Sequence, residues 1–449
     1  MARRVRRGIL TLAIGMTATG AVMLSFAGAP RAAEAAGPES LADRLSASTR
    51  ALLGVAETRT QARAEPARAL SIKLNPAKPV PGSRIDYRML DARLSVLMTT
   101  PGMVGMSVAV VENGQVTFMR GYGYTDAASL EPVNENTVFR WASLSKGVAG
   151  TIVADLAAEG RLSLNDPVAK WAPSLRLPGG AEARVTVADV LAHRVGLPKN
   201  AYDGKLEGGA SPQALRTMLG TLRGACQPAT CHSYQNIAFD AATEIVERAT
   251  GRPYAEVANE RFFRPLGMTT ASMTRTALIT AESWAKPHVG TSVVPVLEPY
   301  YRVPAAGGVN SSIADLARWM IAQMGGAPLV IPEKVLGEAH AARVATARTN
   351  GDFNRAMTDQ NYGLGWRRYT YSGNTLVGHQ GAVRGYRSTI LFDPDRKTGV
   401  AVLWNSGSGR PFALPLEVMD MAYRLPRRDW LKLDALPQPG GGVTVAAAR

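Results

Sequence analysis

The runs "GMSVAVVE" and "QVTFMRGYG" flank Asn113-Gly114. Apolar and polar positions alternating on either side of Asn-Gly predict a β-hairpin closed by a tight turn. Ahead of it, Ile85, Met89, Leu90, Leu94, Leu97 and Met98 keep a helical period. The apolar stretch opening at Ser143 ends at Gly160, a residue suited to the left-handed position that closes a helix. "VTVADVLAHRVGLP" predicts a short helix stopped by Gly196 and Pro198, and "NIAFDAATEIVERATG" an amphipathic one closed by Gly251. Ser311 or Ser312 caps "IADLARWMIAQMGG". The last third returns to strands in "NYGLGWRRYTY", "NTLVGHQG", "YRSTILFDPD" and "KTGVAVLWNS", followed by the helical "FALPLEVMDMAYRL". Strands at both ends around a helical middle predict a three-layer α+β fold. Its antiparallel sheet would be built from both chain ends, with helices on both faces and a mainly helical insertion.

The first residues follow a different pattern. Arg3, Arg4, Arg6 and Arg7 precede the apolar run Gly8 to Phe26, and Ala27-Gly28-Ala29 offers a small-residue cleavage site. Residues 1–29 are therefore expected to be a secretory signal peptide, with an uncleaved anchor as the alternative. Residues 30–84, rich in Ala, Arg, Glu and Pro, read as a linker. The expected domain runs over 85–425, and 426–449 form a tail. Export places the protein in the periplasm or the medium.

Of 449 residues, 46% are hydrophobic and 19% charged, the balance of a globular chain. The net charge is +15; ten Arg against five Asp or Glu put about +5 of it up to Leu70, and the remaining +10 favours anionic envelope surfaces. No basic stripe accompanies a nucleic-acid recognition motif, so nucleic acid is not expected as a partner. A monomer acting on a small molecule or peptide is the simplest expectation. Cys226 and Cys231 lie close together in "ACQPATCHSYQN". In an exported chain they are expected to form a local disulfide just before Ser233 and Tyr234.

Three kinds of hydrolytic chemistry compete. A nucleophile elbow would read G-x-S-x-G, but "GMSVA" lies inside an alternating strand and lacks the last glycine. The five histidines, His193, His232, His288, His340 and His379, include no H-E-x-x-H pair, so no metal is expected. The third candidate is Ser143-x-x-Lys146, one helical turn apart on one face. Ser283-x-x-Lys286 has the same spacing, but Pro287 would stop a helix there. Downstream of Ser143 come Tyr234-Gln-Asn236 at the mouth of a helix and His379-Gln-Gly381 at the end of a strand. His193 reads as a structural residue, and Trp141, Trp366 and Trp404 as core or cleft wall.

These motifs resemble the serine beta-lactamase and penicillin-binding superfamily, in its class C beta-lactamase, DD-peptidase and esterase branch. The matching stretches are "FRWASLSKGVAG", "VTVADVLAHRVGLP", "HSYQNIAFDAATEIVERATGRPY", "FFRPLGMT", "AAGGVNSSIADLARWM", "YGLGW" and "GHQGAVRGYRS", in one order from Asp86 to Arg424. The resemblance implies that Ser143 is a nucleophile forming an acyl-enzyme and that Lys146 and Tyr234 move its proton. It implies that Asn236 binds Lys146 and a substrate amide, and that the backbone N–H groups of Ser143 and Ala382 form an oxyanion hole. No cofactor is implied. His379 stands where class C beta-lactamases carry lysine, so any charge it offers a substrate carboxylate depends on its surroundings. The implied substrates are D-amino-acid peptides or amides, beta-lactams and small esters. The alternative is a catalytically silent recognition protein of the envelope.

Overall fold

The computed structural model describes residues 81–348 and 351–436. The signal-peptide and anchor expectations, and most of the linker, lie outside the described residues. One sheet contains eight strands. These are β1 (Gly105–Glu112), β2 (Gln115–Gly123), β3 (Val344–Ala345), β4 (Thr358–Tyr362), β5 (Arg367–Tyr371), β6 (Asn374–Val383), β7 (Tyr386–Asp393) and β8 (Thr398–Trp404). Their order is β2-β1-β8-β7-β6-β5-β4-β3, with antiparallel pairing throughout. The N-terminal hairpin thus joins the last strand, Met106 lying opposite Trp404. Its turn holds Asn113 at φ 52° and Gly114 at φ 77°, the left-handed pair that Asn-Gly accommodates.

Every residue of β1 is buried, because both of its faces are covered. Val108 and Val110 join Leu90, Leu94, Val400 and Val402 in one cluster. There the sheet meets α1 (Tyr87–Met98) and, through Leu414 and Val418, the C-terminal helix Leu414–Tyr423. Ala109 and Val111 point the other way, into a larger cluster with Val148, Ile152 and Leu316. That second cluster contains α2 (Ser145–Ala158) and α3 (Ile313–Ile321). The result is the expected α+β arrangement. Ser312 caps α3 by accepting a hydrogen bond from the Asp315 N–H.

Chain packing continues past Leu425, beyond the boundary expected for the tail. Leu431 and Leu433 are buried, and the Arg93 guanidinium donates to Glu417, Asp429 and Asp434 at 2.6 Å each. One buried cation ties α1 to this segment, which alternation alone did not reveal.

α2 is buried almost all round, as its composition demands. Two glycines make that possible. A Cβ on Gly147 would lie 2.6 Å from the Trp366 ring, and one on Gly150 would lie 1.7 Å from the Leu364 carbonyl oxygen. From the opposite side, Gly365 has φ 75°, and a Cβ there would meet the Lys146 carbonyl oxygen at 2.0 Å. "YGLGW" is therefore the surface against which α2 rests.

Candidate active site

Ser143 sits in a single tight turn, Ala142–Leu144, that feeds directly into α2. Ala142 is held at φ 50°, a strained conformation for a residue with a Cβ. Neighbouring groups hold it there. Trp141 N–H donates to the Val309 carbonyl at 2.9 Å, and Ser388 Oγ donates to the Trp141 carbonyl at 2.6 Å. Ser145 Oγ donates to the Ala142 carbonyl at 2.7 Å and accepts from Val309 N–H at 3.0 Å. The serine is thereby presented at the edge of a rigid turn.

Lys146 is 0% exposed. Its Nζ donates to Asn236 Oδ1 at 2.7 Å and to the Ala306 carbonyl at 2.8 Å, and it lies 3.3 Å from Ser143 Oγ. No carboxylate forms an ion pair with it among the described residues. Its Nζ lies 4.8 Å from the Tyr234 ring centroid and 5.4 Å from that of Phe239. Two strong acceptors and one serine oxygen thus surround a single nitrogen.

Asn236 is fixed in one orientation, because its Nδ2 donates to Asp203 Oδ2 at 2.7 Å while its Oδ1 receives Lys146. Asp203 was not singled out in the sequence. It opens the short helix Asp203–Glu207, and no short motif ties it to Asn236. Burial pushes its carboxyl above the usual carboxylate range, against the pull of Asn236 and Lys146. The Tyr234 ring packs 4.2 Å from that of His193, and its hydroxyl forms no hydrogen bond among the described residues.

His379 is 3% exposed, with both ring nitrogens engaged inside the protein. Nδ1 lies 2.8 Å from the Gln380 carbonyl, so Nδ1 carries the proton; Nε2 lies 2.8 Å from Tyr362 Oη and accepts from it. That hydroxyl in turn receives His193 Nε2–H at 3.2 Å, while His193 Nδ1 accepts the Gln235 N–H at 3.1 Å. Every donor and acceptor in this chain is matched with both imidazoles neutral. Burial, then the charges of Lys146 and Arg367 among others, pushes both histidines well below their ordinary range. Both His379 ring nitrogens are therefore spent on hydrogen bonds within the protein, to Gln380 and to Tyr362. His193, beside Tyr234, is its counterpart.

Gly381 lies on β6 against the Ala142–Leu144 turn. A Cβ there would meet Ser388 Oγ at 2.2 Å and the Trp141 carbonyl oxygen at 2.3 Å. Only glycine lets the strand come this close. Ala382 follows on the exposed rim, in register with Arg387. Cys226 and Cys231 are joined as a disulfide ahead of Tyr234. Ser283 lies on no helix, and its would-be partner Lys286 binds Asp126 at 2.5 Å instead. The site is identified by this chemistry and not by volume. Clefts of about 640 Å³ beside His340 and about 720 Å³ beside Leu164 contain none of these residues.

The family profile described as Beta-lactamase matches residues 90–419. An unguisins hydrolase of Aspergillus violaceofuscus is 28% identical over 73% of this chain and 63% of its own length. Protein flp of Staphylococcus aureus is 26% identical over 68% of this chain and 60% of its own length. The chain thus spans about three-fifths of the length of the curated relatives it matches. Among solved structures, an octameric penicillin-binding protein homologue from Pyrococcus abyssi superposes with a TM-score of 0.68 at 25% identity. That match covers 76% of this chain and 78% of the other.

Proposed function

The chain belongs to the beta-lactamase family, and from that premise we propose that it is an exported serine hydrolase working through a Ser143 acyl-enzyme. The observation that carries this reading is the setting of Lys146, buried and 3.3 Å from Ser143 Oγ. As a free amine, Lys146 would direct its two N–H bonds to Asn236 Oδ1 and the Ala306 carbonyl. Its lone pair would then face the serine proton.

Attack by Ser143 Oγ on a carbonyl carbon forms the acyl–oxygen bond. The serine proton passes to Lys146 and onward by way of Tyr234 to the leaving group, whose bond to carbon breaks. Water then cleaves the acyl-enzyme by the reverse proton path. The N–H groups of Ser143 and Ala382 would stabilise the oxyanion, each such donor being worth about 3–4 kcal/mol. Substrates of this reading are D-amino-acid peptides or amides, beta-lactams and small esters. A relative named as a hydrolase and a structural neighbour named as a penicillin-binding homologue both support that range.

The test is turnover by purified protein of three substrates side by side: a short nitrophenyl ester, a fluorescent penicillin and a D-Ala-D-Ala peptide. Hydrolysis of at least one is expected. Inertness toward all three, with no acyl-enzyme, would favour a recognition protein.

A further inference from the structure

Arg140 lies three residues before Ser143 and is 3% exposed. It forms no ion pair among the described residues. Its guanidinium carbon stands 4.1 Å from the Tyr301 ring centroid. Nη1 and Nη2 reach the carbonyls of Leu297 and Gly307 only at 3.4 and 3.5 Å, and buried Nε has no acceptor. A guanidinium carries five N–H donors, and most of these are poorly answered. A desolvated cation in this state calls for an anion.

Arg140 lines a cavity of about 130 Å³ together with Glu207, Tyr300, Val383, Arg384 and Tyr386. The cavity adjoins the site on two sides. The Tyr300 ring lies against Gly307, next to Ala306, whose carbonyl holds Lys146. Val383 and Arg384 directly follow Ala382. Arg384 is exposed and forms no ion pair among the described residues. Glu207, the one carboxylate in the lining, accepts the Tyr300 hydroxyl at 3.0 Å. Two guanidinium groups against one carboxylate leave the cavity positive.

We propose that this cavity is a subsite for a carboxylate carried on the substrate's acyl group, with Arg140 at its base and Arg384 at its rim. The inference rests on the reading of Ser143 as nucleophile and names the substrate class of that same site.

The probes are 4-nitrophenyl hydrogen glutarate and its neutral methyl ester, titrated calorimetrically into the full-length Ser143→Ala protein, which holds them without acyl transfer. The acid should bind at least about ten-fold more tightly than the methyl ester. That preference should collapse when Arg140→Met is added and shrink when the exposed Arg384→Ala is added. Should Arg140→Met fail to give a folded circular-dichroism spectrum, Arg384→Ala decides. Equal binding of the two probes, or a preference untouched by either substitution in folded protein, overturns the subsite. Turnover of the acid probe by the unsubstituted protein is a separate readout. Its absence alongside tight binding of the acid, with the ester, the penicillin and the D-Ala-D-Ala peptide also inert, would sink the hydrolase reading and leave the subsite standing.

Discussion

The hydroxyl of Tyr362 stands between two imidazoles, accepting from His193 at 3.2 Å and donating to His379 at 2.8 Å. Through them it links the backbone beside Tyr234 to the strand that carries Gly381 and Ala382. Tyr362 is a positioning residue in this reading. Tyr362→Phe leaves two buried ring nitrogens unpaired, at a cost of about 1–3 kcal/mol in stability. With Tyr362→Phe, kcat toward a nitrophenyl ester should fall while KM changes little. Steady-state kinetics and urea melts check both, and an unchanged kcat in destabilised protein would reduce Tyr362 to a packing role. Ser143, Lys146, Tyr234 and Asn236 were readable because each sits in a short motif. Tyr362 opens the quoted "YGLGW", but nothing in that motif shows that its hydroxyl bridges two histidines, and Asp203 sits in no motif at all.

At the scale of elements, the glycines decide how closely the pieces approach. Gly150 lets α2 rest on the Leu364 carbonyl, and Gly365 returns the contact against the backbone of Lys146. In an ordinary helix Gly→Ala is stabilising by up to about 1 kcal/mol. Here the new Cβ would fall 1.7 Å from a backbone oxygen, so Gly150→Ala should destabilise by about 1–3 kcal/mol and disturb Lys146. Chemical denaturation gives the sign directly; a Gly150→Ala protein as stable as its parent would mean that the "YGLGW" contact is loose. Periodicity and turn residues were enough to find the hairpin, α1, β6, β7 and β8, but they read "NYGLGWRRYTY" as one strand where a loop separates β4 from β5, and they missed β3. They could not show which glycines mark close approaches, because that depends on what packs opposite. They also placed the end of the domain too early, since Arg93 reaches its acidic partners only in the folded chain.

For the whole molecule, buried histidines set the response to acid. Burial pushes His193 and His379 well below their usual range, His232 down to about 4 and His340 down to about 3. Below pH 6.5 the unfolded chain takes up protons at these positions and the folded chain does not, so stability present above 6.5 is lost on acidification. Asp240, pushed up to about 7 by burial despite Arg216, acts in the opposite sense, as do the raised carboxyls of Asp203 and Asp315. Four histidines outweigh three carboxyls, and the melting temperature should fall between pH 7 and pH 5. A rise over that interval would show that the carboxyls dominate.

If Ser143 alone forms the covalent bond to substrate, intact-protein mass spectrometry after exposure to a fluorophosphonate or a penicillin should show one adduct on the unsubstituted protein. Peptide digestion should map it to Ser143, and Ser143→Ala should carry none. An adduct that persists in Ser143→Ala, or one that maps to Ser283, would contradict it.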